Sequence, residues 1–315
     1  MNILVAGGAG FIGSHLVELF SKRGNNLWIV DNLSSGLERR MQRYKQSPNM
    51  HTLCQDIRQP LYINEPLDMI FHFACMASPT DYMREPIDVY MTNAEGTYNL
   101  LELARAHKAR FILASTSEIY GNPVVHPQVE TYFGNTNPVG VRSCYDEGKR
   151  FAEGLTMQYH VTYQLDTRII RIFNTYGPGM RKNDGRVISN SINQALNNEA
   201  ITIYGDGNQT RSFCYITDLI RGIDLFSSTN GLDGDIINLG NPSEISIRNL
   251  LDELNSFFKV PLNIEYRKLP ADDPERRKPD ISKAQLLLNW KPFVPLHDGL
   301  EKTIKYFQIL KKQIE

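Results

Sequence analysis

The sequence predicts an α/β protein: a doubly wound parallel sheet followed by a smaller C-terminal α/β lobe. Three observations carry this. A short apolar run at residues 2–6 passes directly into Gly7-Gly8-Ala9-Gly10-Phe11-Ile12-Gly13 and then into a helical pattern. Apolar runs of strand length alternate with amphipathic helical stretches from there to about residue 178. The polar and small-residue motifs all fall at the carboxyl ends of those runs, where sheets of this kind bind ligands.

The elements follow in order. Residues 2–6 form the first strand and residues 14–20 a helix that ends near Gly24. Glycines at 7, 10 and 13 supply a tight turn, a close backbone approach to a pyrophosphate and close helix–strand packing, which makes this a Rossmann-type dinucleotide turn. Gly7, Gly10, Phe11, Ile12 and Gly13 are therefore expected against a cofactor. The second strand, residues 27–30, ends at Asp31. An acid there accepts from both ribose hydroxyls and repels a 2′-phosphate, which favours NAD over NADP. Asn32, Ser35 and Gly36 form the loop behind it, and Arg39 and Arg40 lie too far along to reverse the preference. A third strand at residues 50–54 leads to Asp56 and Ile57, placed to grip an adenine. A fourth at residues 69–74 ends at Ala74 and runs into the small-residue loop Cys75-Met76-Ala77-Ser78-Pro79. Thr92 opens a helix through residue 106 at the cofactor's edge. The fifth strand, residues 111–114, delivers Ser115-Thr116-Ser117-Glu118. A helix follows from Tyr145 to about residue 159, and the sixth strand, residues 165–173, ends at Asn174 and Thr175.

Tyr145 and Lys149 are four apart and share one helical face. An ammonium beside a phenol favours the phenolate, so the pair is suited to removing a hydroxyl proton while a hydride leaves the same carbon. Both residues also belong to the expected cofactor contacts.

Residues 1–178 are read as the NAD-binding domain and 179–315 as the second lobe, with a strand and a helix exchanged between them. The lobe carries arginines in polar loops: Arg186, Arg211 and the pair Arg276-Arg277. Guanidinium forks suit phosphates and carboxylates, so three such loops beside a nucleotide site suggest a clamp on a second phosphorylated ligand.

Composition bounds the alternatives. The 315 residues are 41% hydrophobic and 22% charged, ordinary for a globular protein. Thirty-four basic and 35 acidic side chains leave a formal charge of −1, which argues against bulk attraction to nucleic acid or anionic membrane. The four cysteines form no CxxC pair and the seven histidines no HxxxH or HExxH, so no metal is expected. No leader or apolar run of membrane length appears, and a cytoplasmic location is expected.

Several strings carry a family resemblance: Ser115-Thr116-Ser117-Glu118-Ile119-Tyr120-Gly121, Arg142-Ser143-Cys144-Tyr145-Asp146-Glu147-Gly148-Lys149-Arg150, Arg171-Ile172-Phe173-Asn174-Thr175-Tyr176-Gly177-Pro178, Asp184-Gly185-Arg186-Val187 and Arg277-Lys278-Pro279-Asp280. Together they resemble the UDP-glucuronic acid decarboxylases, within the extended short-chain dehydrogenase/reductases that act on nucleotide sugars. The resemblance implies that Tyr145, its proton affinity lowered by Lys149 and the nicotinamide charge, takes the proton of the sugar 4-hydroxyl. It implies that Thr116 or Ser117 binds that oxygen, that Glu118 assists proton handling, and that Arg277 serves the decarboxylation step. Arg211 would grip the UDP phosphates, with Tyr82, Asn174, Arg186 and Tyr204 as further nucleotide-sugar contacts. A homodimer built partly on the Tyr145 helix is implied too. A serine at position 117, in place of an acid, separates this pattern from the 4,6-dehydratases.

Two departures from that pattern are visible. Met76 stands where the family has proline and Met91 where it has lysine. Arg84 is the expected substitute for the lost cation. The readings left open are a 4-epimerase, a 4-reductase or an incomplete cycle that stops at the 4-keto pentose. A reading of another class is a non-catalytic NAD and nucleotide-sugar binding regulator.

Overall fold

β1 (Asn2–Ala6) is buried along nearly its whole length, because its residues are apolar on both faces and helices cover both. The computed structural model describes residues 1–259 and 261–313. After β1 come α1 (Phe11–Lys22), β2 (Asn26–Val30), α2 (Glu38–Tyr44), β3 (Met50–Leu53) and β4 (Met69–His72). Next are α3 (Pro79–Arg84), α4 (Pro86–Met91), α5 (Thr97–His107), β5 (Arg110–Thr116), α6 (Ser143–Tyr163) and β6 (Thr167–Ile172). The remainder holds β7 (Thr175–Tyr176), α7 (Val187–Leu196), β8 (Ile201–Tyr204), β9 (Thr210–Ser212), β10 (Cys214–Tyr215) and α8 (Ile216–Ser228). It closes with β11 (Ile236–Leu239), β12 (Glu244–Ser246), α9 (Ile247–Asn255), β13 (Ile264–Arg267), β14 (Arg276–Arg277), α10 (Ser282–Leu288) and α11 (Leu296–Lys312).

Among the described residues the main sheet has seven strands in the order β11-β6-β5-β4-β1-β2-β3, all parallel. The order reverses between β1 and β4, so the carboxyl ends of these two strands border a crevice. One apolar layer packs α1, α8 and α11 on one face, through residues such as Leu16, Phe20, Ile223 and Phe307. The other packs α5 and α6, through Leu100, Leu101, Ala104 and Ala152.

Three local differences from the sequence reading matter for the site. Residues 235–239, expected in the C-terminal lobe, supply β11, which pairs with β6 at the sheet edge. The helix expected from Thr92 begins instead as a widened π turn, Thr92–Gly96, before α5. Asn93 explains part of this: its amide donates to the Val89 carbonyl at 2.9 Å and to Cys75 Sγ at 3.4 Å. Wide turns of this kind sit at functional sites more often than elsewhere, and Thr92 lines the cavity described below. The Tyr145 helix is also longer than expected, running from Ser143 to Tyr163.

The other strands form small sheets: β8 with β13, and β9 between β12 and β14. β14 is only two residues long, but its register places Arg277 opposite Arg211. This pairing brings together two arginines 66 positions apart at the mouth of the main sheet.

Candidate active site

A cavity of about 680 Å³ runs along the carboxyl ends of the main strands and under the small sheets. Its first half is built by the glycine turn. Gly7 has φ +82°, and a Cβ there would lie 2.5 Å from the Phe73 carbonyl carbon. A Cβ at Gly13 would collide with the Gly7 carbonyl. The turn is thus packed tightly on itself and on the segment after β4, with its bare glycine backbone lining the cavity, as a pyrophosphate-binding turn requires. Gly13→Val is accordingly expected to weaken NAD binding by at least about tenfold, roughly 1.4 kcal/mol, in a calorimetric titration, because the turn must shift to admit the side chain.

Asp31 lies at the end of β2, 8% exposed. Its two oxygens each accept one backbone N–H, from Ala9 and Leu33, both at 2.9 Å. Each oxygen keeps a lone pair for a ribose hydroxyl. Burial pushes its carboxyl above the ordinary range, against those two hydrogen bonds and the charge of Arg40. Gly36 packs beneath it, 2.6 Å from a virtual Cβ to Oδ1, so Gly36 shapes the acid without lining the cavity. Asn32, Ser35, Asp56, Ile57, Ala74, Thr92 and Thr175 all line the cavity. Asp56 is held by Asn32 at 3.2 Å and by Arg58 at 2.8 Å. Burial raises its carboxyl, but the hydrogen bonds from Arg58 outweigh that and hold it below the usual range.

Arg40, expected to lie too far along to reverse the preference for NAD, is nevertheless part of the dinucleotide turn. It reaches back from α2 and donates to the carbonyls of Ala9 and Gly10, each at 2.9 Å, and of Gly179 at 2.6 Å. It ties the dinucleotide turn to the loop after β7. With its guanidinium spent on carbonyls it does not oppose the preference set by Asp31.

The second half of the cavity centres on Tyr145, 6% exposed on the first turn of α6. Its ring stacks on Tyr82 with centroids 5.2 Å apart and planes at 6°. Lys149, one turn on and 2% exposed, donates to the Ala114 carbonyl at 2.9 Å. The sequence reading expected the Tyr145 phenol to titrate below its ordinary value. It lies above that value instead, because burial and the neighbouring Cys75 thiol outweigh the help of Thr116 and Arg186.

Thr116 ends β5, and its hydroxyl accepts from the Glu118 backbone N–H at 3.2 Å, starting the short turn Ser117–Tyr120. That turn aims Ser117 and Glu118 at the arginines. Arg277 donates to Ser117 Oγ at 3.0 Å and pairs with Glu118 Oε1 at 2.7 Å. Arg142 pairs with Glu118 Oε2 at 2.6 Å and with Asp273 at 3.3 Å, and Asp273 holds Arg211 at 2.8 Å. The result is an alternating chain, Arg277–Glu118–Arg142–Asp273–Arg211. Burial pushes the Glu118 carboxyl up, but Arg277 and Arg142 together bring it down to about 2. Glu118 is thus held as a carboxylate by two guanidinium groups, which narrows the expected proton-handling role. Arg277 is 1% exposed and lies behind Ser117 and Glu118, off the cavity wall.

Tyr82, Asn174, Arg186, Tyr204 and Arg211 line the cavity. Arg186 is held by Asp184 at 2.9 Å and donates to the Ala77 carbonyl at 2.9 Å. Arg84 is the exception. Its side chain is 58% exposed, pairs with Asp81 and Glu85 and does not line the cavity, because α3 points it to solvent. The substitution of Arg84 for a lost cation is corrected accordingly. Met91 does not line the cavity either. The pocket cation nearest that expectation is Arg181, which lines the cavity and pairs with buried Asp81.

Sequence reasoning missed Arg40, Arg142, Asp146, Arg181 and Asp273 as site residues. Arg142 and Asp146 had a local signal, since they are four apart across the start of the Tyr145 helix. The contacts of Arg142 to Asp273 and of Arg40 to Gly179 span more than 130 positions and have no local signal.

The NAD dependent epimerase/dehydratase family matches residues 3–240. The chain belongs to this family. It is NAD-dependent, and the glycine cradle and Asp31 fit that cofactor. Among relatives of this member, UDP-glucuronic acid decarboxylase 4 of Arabidopsis thaliana is 47% identical over 308 residues, covering 98% of this chain and 69% of the relative. UDP-glucuronic acid decarboxylase 1 of Danio rerio is 47% identical over 306 residues, covering 97% and 72%. The crystal structure of UDP-glucuronic acid 4-epimerase from Bacillus cereus, in complex with UDP-glucuronic acid and NAD, superposes with a TM-score of 0.88 at 29% identity, over 98% of this chain and 100% of that one.

Proposed function

We propose that this family member is an NAD-dependent UDP-glucuronic acid decarboxylase that forms UDP-xylose through a 4-keto intermediate. The observation that carries the reading is the union of the buried Tyr145–Lys149 pair with Ser117, Glu118 and Arg277 at one strand end, in a chain 47% identical to curated UDP-glucuronic acid decarboxylases.

The chemistry follows from those groups. Bound NAD supplies a reversible acceptor for the C4 hydride. Tyr145 takes the proton of the 4-hydroxyl, with Thr116 beside the same oxygen. The 4-ketone makes the sugar a β-keto acid. Its C5–carboxylate bond breaks, carbon dioxide leaves, and the bonding electrons pass into an enolate on the ketone. A proton then adds at C5, the hydride returns to C4 and Tyr145 gives back its proton. The cycle is redox-neutral. Arg277 stands behind Ser117, where it would steady the carboxylate and the enolate charge. Arg211, Arg186, Asn174, Tyr204 and Tyr82 would hold the UDP part and the sugar. With Ser117 in place of an acid, no group stands ready to protonate a leaving 6-hydroxyl.

The test is incubation of the purified protein with UDP-glucuronic acid, with and without added NAD. Mass spectrometry and proton NMR should show UDP-xylose. A product of unchanged mass would support the epimerase reading, and release of no carbon dioxide would remove the proposal. A non-catalytic binding role is disfavoured by the intact proton path, which a regulator has no need to keep buried.

A homodimer through α5 and α6 belongs to the same reading. Phe151, Val161 and Tyr163 on α6 and Tyr98 on α5 are more than half exposed or nearly so, at 53%, 68%, 52% and 50%. Exposed apolar and aromatic side chains on two neighbouring helices suit a self-complementary interface. Phe151→Glu is expected to halve the mass seen by light scattering. No helix among the described residues is long and apolar enough to cross a membrane. The four cysteines are free thiols, which suits the cytoplasmic location this reading carries.

A further inference from the structure

Asp146 follows Tyr145 directly, is 6% exposed and does not line the cavity. Its Oδ1 has no hydrogen-bond partner, and neither has Arg142 Nε nor the Tyr82 hydroxyl. Asp146 Oδ2 and Arg142 Nε stand 4.0 Å apart, too far for a hydrogen bond, and the other carboxylate oxygen, Oδ1, and Arg142 Nε are both buried without a partner. Arg142 spends its other nitrogens on Glu118 and Asp273. A buried carboxylate beside an unpartnered guanidinium N–H should close on it, since an unmet buried charge is expensive. A neutral carboxylic acid has no such demand. The open gap is the arrangement expected of the acid form.

We propose that Asp146 is a positioning residue that sets the charge of the substrate clamp through Arg142. As an acid it leaves Arg142 committed to Glu118 and Asp273. The clamp then has three guanidinium groups, of Arg142, Arg211 and Arg277, against the two carboxylates of Glu118 and Asp273, an excess of one positive charge. As a carboxylate it draws Arg142 toward itself and cancels that excess. The ligand it acts on is an anionic nucleotide sugar with a diphosphate and a carboxylate, so the inference rests on the decarboxylase reading for the ligand's identity.

The groups facing Asp146 set where it changes form. These are Arg142, Cys144 and Glu147 from its own helix and the residues beside it, Glu118 from the turn after β5, Tyr82 from α3, and Arg277 from β14. Burial and then the Glu118 charge push the Asp146 carboxyl up to about 7, against Arg142 and Arg277. The clamp therefore loses its positive excess as pH rises through neutrality. The ligand does not titrate in that range, because its diphosphate is a diester and its carboxyl is an ordinary acid.

The experiment measures KM for UDP-glucuronic acid at about pH 6 and about pH 8, with NAD saturating, for the wild-type protein and Asp146→Asn. For a group near 7 whose acid form supports binding, the wild-type ratio between the two pH values should approach about tenfold. In Asp146→Asn, which is neutral at both, the ratio should fall below about twofold. Asp146→Ser gives the same reading if the asparagine variant does not fold. A flat wild-type KM overturns the inference. So does a variant whose KM climbs in parallel with wild type, or one that only lowers kcat by the same factor at both pH values, as a merely structural residue would. If neither protein releases carbon dioxide at any pH, the decarboxylase reading fails. The same ratio is then read from the Kd of UDP-glucuronic acid by calorimetry, and either result there still decides the role of Asp146.

Discussion

Tyr145→Phe is expected to lower turnover of UDP-glucuronic acid by about 10² to 10⁴-fold, the usual loss on removing a positioned general base. The ring, its stacking on Tyr82 at 5.2 Å and the burial would survive, since only the hydroxyl is removed. NAD affinity should change little, because the glycine cradle and Asp31 lie at the other end of the cavity. The measurement is single-turnover conversion with NAD saturating, alongside a calorimetric Kd for NAD. Turnover within threefold of wild type would show that another group takes the 4-hydroxyl proton. Burial holds the phenol above its ordinary value.

Arg277→Ala is expected to have the second large effect, and on stability as well as activity. Arg277 is buried and meets Glu118 Oε1 at 2.7 Å, Ser117 Oγ at 3.0 Å and the Gly121 carbonyl at 3.3 Å. Truncation strands one oxygen of a half-buried carboxylate and leaves Arg277's own buried space unfilled, at a cost of about 3 kcal/mol. Arg142 still holds the other Glu118 oxygen at 2.6 Å, which keeps the loss at the lower end of the range. The fall in Tm should be several degrees. The pH dependence follows from the same contact. The Glu118 carboxyl is depressed to about 2 in the folded protein. Its contribution to stability is present above the unfolded value near 4.5 and is lost as pH falls from there toward 2. In Arg277→Ala that depression shrinks, so the stability difference between wild type and variant should narrow in acid. Arg277→Lys keeps a charge but not the fork, and should recover stability better than turnover.

The parts of this molecule that could be read from the sequence are the local ones. Gly7, Gly10 and Gly13 announce the cofactor turn because strand, turn and helix are contiguous. Asp31 is legible because it ends the next strand. Tyr145 and Lys149 are legible because four residues make one helical turn. What could not be read depends on pairing over distance. β11 joins β6 through parallel hydrogen bonds that nothing near residue 236 reveals. The chain Arg277–Glu118–Arg142–Asp273–Arg211 draws on four separate segments, so Glu118, Arg211 and Arg277 could be singled out one at a time but neither Arg142, Asp273 nor the pairing that joins all five could be read. Arg84 shows the converse. A charge in the right neighbourhood of the sequence points outward because the short helix α3 turns it there. The widened turn at Thr92 depends on Asn93 reaching both Val89 and Cys75, and on Gly96 fitting against Ile57.

The central claim is that one site oxidises, decarboxylates and reduces the same sugar. Incubation of the NAD-loaded protein with UDP-glucuronic acid in deuterated water, followed by proton and carbon NMR, tests it most directly. The account predicts UDP-xylose carrying a single deuterium at C5, one equivalent of carbon dioxide and no accumulation of reduced cofactor. UDP-galacturonic acid with its carboxylate retained, and no deuterium at C5, would contradict it.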